Sequence, residues 1–177
     1  MKKSISVLLV VVALASCSPK KTWEAKNIET KEKALSDKSH MDTTVLNELI
    51  DAYQAYANKY PADTLGAEYL FKAADYYRYL HQPVKSIALY KNIYNNYPTS
   101  AKRPYALFLQ GFTYENEMGK LDSAKAKYLE FLNVYPSHPI AKDVQTTVAN
   151  LGKTPEQLIS EFEERQHADS LQKASAH

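Results

Sequence analysis

Cys17 is the only thiol in this 177-residue sequence, and five histidines supply the only imidazoles. A lone cysteine can form no disulfide within the chain and no cysteine-ligated metal site, but it can be a site of covalent modification. His40, His81, His138, His167 and His177 form neither an HExxH motif nor any i,i+4 pair, and most stand at expected turns or in the tail. No metal is therefore expected. No glycine-rich phosphate loop, nucleophile elbow or identifiable carboxylate pair occurs, so the chain reads as non-catalytic. The unusual side chain is the phenol: all 14 tyrosines fall between Tyr53 and Tyr135.

The tyrosines are ordered. Tyr60-Pro61, Tyr97-Pro98 and Tyr135-Pro136 repeat a dipeptide at intervals of 37 and 38 residues. Each is preceded by a ladder: Tyr53/Tyr56/Tyr60, Tyr90/Ile93/Tyr97 and Tyr128/Phe131/Tyr135. Proline lacks the amide and restrains the residue before it, so each pair should end a helix. A period in the 30s closed by proline marks a helical repeat array, an object that presents a surface and seldom does chemistry. Apolar residues at i, i+3, i+4 and i+7 predict helices at 43–59, 64–80, 83–96, 101–118, 121–134, 138–150 and 155–171. Pro83 and Pro155 occupy first helical positions, Thr154 with Gln157 makes a capping box, and Gly119 sits in a tight turn. Most ladder tyrosines are expected in the core; of Tyr76, Tyr77 and Tyr79, too close together to share one face, at least one should be exposed.

Aligned, the units are helix pairs over 64–97 and 101–135, preceded by a lone second helix at 43–60. Small residues mid-helix, then alanine, aromatic, apolar and proline positions, are Gly111, Ala124, Tyr128, Phe131 and Pro136 in one unit. In the other they are Ala73 or Ala74, Ser86, Tyr90, Ile93 and Pro98. This pattern, over residues 43–150, resembles tetratricopeptide repeats. The resemblance implies an all-α fold: a right-handed superhelical array of antiparallel helix pairs, an α-solenoid of about 2.5 repeats plus capping helices. The 37–38 residue period, the stretch Gly111–Glu117 and the segment Leu151–Glu156 are similar to envelope members of that family. Those members are the Tol-Pal accessory proteins of YbgF type and the BamD-like lipoproteins. In the family the first helix of each pair lines a concave groove, which implies that Asp75, Arg78 and Tyr79, with Thr113, Asn116 and Glu117 one unit on, face a bound protein segment.

The ends carry the address. Lys2 and Lys3 precede an apolar run from Ile5 to Ala15, too short for a bilayer, which reads as a signal peptide over 1–16. Leu14-Ala15-Ser16-Cys17 resembles the lipobox of bacterial lipoproteins and implies that Cys17 carries a covalent lipid; no other cofactor is expected. Ser18 and the following Pro19-Lys20-Lys21-Thr22 fit an outer-membrane lipoprotein facing the periplasm. Removing 1–16 leaves 20 basic and 20 acidic side chains, no net charge, and no basic face for nucleic acid. Residues 17–41 read as a polar tether with a transient helix supported by Glu29 and Lys33, and Trp23 within it either rests at the membrane interface or does nothing specific. The repeat domain spans 42–152. An amphipathic helix over 153–172, with Leu158, Ile159, Phe162 and Leu171 opposite Glu161, Glu163 and Glu164, is expected to dock on the array; 173–177 should be disordered.

The function that follows is a lipid-anchored scaffold holding an envelope protein in its groove, in envelope assembly or Tol-Pal-like maintenance. Two alternatives are a lipoprotein that binds glycan or peptidoglycan on exposed tyrosines, and a self-assembling structural subunit stacked end to end.

Overall fold

The computed structural model of this protein describes residues 19–36 and 42–175; the expected signal segment 1–16, the expected modification site Cys17 and residues 176–177 lie outside them. The described residues form eight α-helices and no strand: α1 (Pro19–Ser36), α2 (Thr43–Lys59), α3 (Thr64–Tyr79), α4 (Pro83–Asn96), α5 (Lys102–Asn116), α6 (Leu121–Val134), α7 (Ala141–Asn150) and α8 (Pro155–Ser175). Each helix from α1 to α6 packs on the next, and α3 also touches α5, as in a tetratricopeptide-like array.

The Tyr-Pro punctuation works alike three times. Tyr60 (φ −125°, ψ 62°), Tyr97 (φ −123°, ψ 67°) and Tyr135 (φ −127°, ψ 53°) each end a helix, their N–H donating to the carbonyl four residues back. Their own carbonyls then accept from the N–H of Asp63, Ser100 and His138. Each of those three side chains then accepts the N–H two residues on: Asp63 Oδ1 from Leu65 at 3.2 Å as the N-cap of α3, and Ser100 Oγ from Lys102 at 3.1 Å and His138 Nδ1 from Ile140 at 3.4 Å in the turns that lead into α5 and α7. One short sequence signal thus stops one rod and starts another, satisfying part of the backbone left bare at both ends. The third copy leads into α7, which covers the end of the array with Ala141 and Val144.

Between rods the space is filled by rings. Tyr53, Tyr90, Tyr128 and Phe131 are fully buried, and Ala73, Ala74, Ala106 and Ala124 let the backbones approach them. Gly111 is obligatory for this: a Cβ there would lie 2.6 Å from Cε1 of Tyr128. Gly119, at φ 62°, makes the α5–α6 turn. Thr154 and Gln157 exchange hydrogen bonds of 2.9 and 3.3 Å, closing the capping box at α8.

Three expectations are corrected. The tether is α1, an 18-residue helix whose Ile28 and Leu35, seven residues apart on one stripe, are buried in the first core. α2 therefore has a packed partner, so the helix expected to stand alone at 43–60 is paired with α1 ahead of the two repeats. The helix expected to dock does not: Ile159 and Phe162 of α8 are 58% and 56% exposed. Leu171, 13 residues after Leu158, lies roughly 220° around the helix, among the glutamates and off the apolar stripe. The tail expected to be disordered is helical through Ser175.

Candidate partner-binding groove

Each pair carries one buried phenol tied to a carboxylate of its first helix. Tyr53 donates to Glu32 at 2.6 Å, Tyr90 to Asp75 at 2.5 Å and Tyr128 to Glu115 at 2.7 Å. Burial, and next the carboxylate that accepts the hydroxyl proton, push all three phenols far above their ordinary range, so they stay neutral donors. A buried hydroxyl needs a partner, and a carboxylate is a strong one. Sequence reasoning put the three rings in the core and missed their acceptors. The available signal was an acid in the last half of each preceding helix.

The first helices are also pinned to one another. Lys72 of α3 meets Glu32 of α1 at 2.8 Å. Between α3 and α5, Glu68 pairs with Lys102 at 3.3 Å, and Arg78 Nε with Glu117 Oε1 at 2.5 Å. The Arg78 guanidinium lies 4.7 Å from the Phe112 ring centroid, a cation–π contact absent from the sequence reading. Burial lowers the Arg78 affinity for its proton, but Glu117 and Tyr90 together outweigh it and the net shift is upward. Asp75 is raised: burial is the chief cause, against the Tyr90 hydroxyl and Arg78, whose Nη1 is 4.0 Å away.

Of the six groove residues expected, Asp75, Arg78 and Glu117 are joined to one another, and Tyr79 and Asn116 stand at the C-terminal ends of α3 and α5. Tyr79 is 55% exposed, the most open of the clustered tyrosines; Tyr76 and Tyr77 are half-buried. Asn116 is exposed, its Nδ2 donating to the Phe112 carbonyl at 3.1 Å. Asp75, Arg78 and Glu117 are half-buried and engaged with one another and with Tyr90, and Glu117 Oε2 has no hydrogen-bond partner among the described residues. Thr113 is the exception: it is fully buried, its Oγ1 donating to the Leu109 carbonyl at 2.7 Å, and belongs to the core. The arrangement offers an aromatic ring, an amide and fixed charges to a bound chain. It holds no nucleophile beside a base.

This geometry is that of a helical repeat array. A tetratricopeptide repeat family model matches residues 105–138, which take in most of α5, all of α6 and the Tyr135-Pro136 turn. Repeats of this family serve as protein–protein interaction scaffolds, typically without catalysis. No curated protein matches the chain.

Proposed function

We propose that this protein is a lipid-anchored, non-catalytic repeat scaffold of the bacterial cell envelope, held by Cys17 at the periplasmic face of the outer membrane, which grips a segment of another envelope protein along α3 and α5. The observation that carries the reading is the placing of Tyr79 and Asn116, both exposed, on adjacent first helices above a floor of paired charges. Because that floor is already ordered, a partner segment loses less freedom on binding than it would against mobile side chains. The lipobox-like Leu14–Cys17 supports the anchor, and anchoring concentrates the scaffold with other membrane-bound partners. The Gly111–Glu117 and Leu151–Glu156 segments support the narrower reading, a part in envelope assembly or Tol-Pal-like maintenance.

Arg78 staples α3 to α5, so removing it tests the fold as much as the groove. A photo-crosslinking residue at Tyr79 should capture a protein in cells, whereas one at Lys125, exposed on the second helix α6, should not. Tyr79→Ala with Asn116→Ala should weaken that capture about tenfold or more. Equal capture from both positions, or full capture by the double variant, overturns the groove. The glycan reading asks for a row of exposed tyrosines. The ladder rings are buried except Tyr60 and Tyr135, which are half-buried, and the exposed pair, Tyr79 at the end of α3 and Tyr105 in the first turn of α5, makes no row.

A further inference from the structure

α1 packs differently from the other first helices. α3 lies between α2 and α4, and α5 between α4 and α6, whereas α1 has its main packing partner in α2. It is seated firmly there, by Ile28 and Leu35 in the core and by Lys21–Asp63, Glu24–Lys59 and Glu32–Lys72 pairs. The side turned away from Ile28 carries Trp23, Lys26 and Thr30, with Lys20 and Asn27 on its flank, all exposed, Trp23 at 66%. Glu29 also stands there, paired with Lys33 at 2.7 Å.

A stacked helix would not suit this face. Where α3 receives α2 it offers Gly66, Tyr69 and Ala73, all buried, with the Gly66 Cβ position 3.4 Å from the Ala57 backbone. The outward side of α1 offers one indole ringed by polar groups and two lysines. That combination suits a lipid headgroup layer: indole settles at the membrane interface, and lysines near the surface are drawn to anionic lipids.

Distance makes the contact hard to avoid. α1 begins at Pro19, two residues after Cys17, and two residues span at most about 7 Å. The expected tether of roughly 25 residues is thus replaced by a rod starting at the anchor. We propose that the Lys20–Trp23–Lys26 face of α1 lies against the headgroups of the membrane that holds Cys17, so that the array is mounted rigidly on the bilayer. This inference rests on the lipid-anchor reading above. Its consequence is directional: the mount fixes which way the α3–α5 groove points.

Trp23 is the protein's only tryptophan, so its emission reports on this face alone. The lipidated protein is extracted from cells, its Cys17 peptide is weighed, and it is reconstituted into phosphatidylethanolamine–phosphatidylglycerol vesicles containing brominated phosphatidylcholine. The expected result is a lipid-modified Cys17 with Trp23 emission blue-shifted and quenched by the brominated chains. Lys20→Gln with Lys26→Gln should lower the equilibrium constant for that contact about 30-fold, while the acyl anchor keeps the protein on the vesicle. A lipidated Cys17 with unquenched, solvent-like Trp23 emission overturns the mount and leaves the anchor standing. Trp23 shielded from acrylamide only when envelope proteins are added would assign the face to a protein and equally overturn the mount. An unmodified Cys17 overturns the anchor and the mount together.

Discussion

α1 and α8 are the two end helices of the described array, similar in length at 18 and 21 residues and both rich in charge, yet one is built into the body and the other stands away from it. The difference is not the amount of apolar surface. α8 has Leu158, Ile159, Phe162 and Leu171; α1 buries only Ile28 and Leu35. It is the arrangement that differs. Two apolar residues two turns apart give α1 a seam along its length, and polar groups on either side of the seam find partners on α2 and α3. In α8 Leu158, Ile159 and Phe162 are crowded into the first two turns while Leu171 stands apart, and Lys153–Glu161 at 2.7 Å ties the start of the helix to the preceding turn. A docked helix needs a continuous stripe more than a hydrophobic one.

The comparison is broken most directly at Ile28. It is 4% exposed, so Ile28→Ala should remove transfer energy and leave a cavity, costing about 2–4 kcal/mol. Urea denaturation would show this as a lower midpoint. A loss below about 0.5 kcal/mol would mean that α1 is only laid on the surface, and the contrast between the two ends would vanish.

Much of the fold was legible because its signals are local. Pro61, Pro98 and Pro136 act on their own backbone and on the residue before, so the starts and stops of the six helices α2 to α7 could be read within a few residues. Asp75, Arg78 and Glu117 were grouped from helical phase, and the Arg78–Asp75 and Arg78–Glu117 pairs join them. Thr113 was grouped with them but turns toward the core. α1 was illegible for a different reason: its attachments are long-range. Lys21 meets Asp63, Glu24 meets Lys59, Lys31 meets Glu48 and Glu32 meets both Tyr53 and Lys72. Nothing in residues 17–41 alone distinguishes those charges from solvated ones. The opposite error at α8 came from counting Leu171 into a stripe to which it does not belong.

The polar half of the α1 seat can be tested with acid. Asp63 accepts from Tyr56 at 2.7 Å and from Lys21 at 2.9 Å, and caps α3 through Leu65. Burial acts to raise its pKa, but those three donors together outweigh burial and hold it below the ordinary carboxylate value. A group whose folded pKa is depressed gives stability that is present above its unfolded pKa and lost as pH falls through the folded one. Between about pH 5 and pH 2, therefore, α1 amides should lose protection from hydrogen exchange before those of α4 and α6. Asp63→Asn, which keeps much of the cap, should flatten part of that pH dependence. An α1 protection pattern that is the same at both ends of the range would show that the seam alone holds the helix.

The smallest effect belongs to the free end. Phe162→Ala in α8 removes a large ring, which in a core would cost as much as any substitution in the molecule. Because the ring is already in solvent, little transfer energy is lost and no cavity forms, so the change should stay within about 0.5 kcal/mol. The same denaturation measurement that registers Ile28→Ala checks it. A cost above about 1 kcal/mol would mean that α8 folds back on the array in solution, extending the stack beyond α7. A cost near zero would leave Leu158, Ile159 and Phe162 as apolar surface that the isolated chain does not need for its own stability.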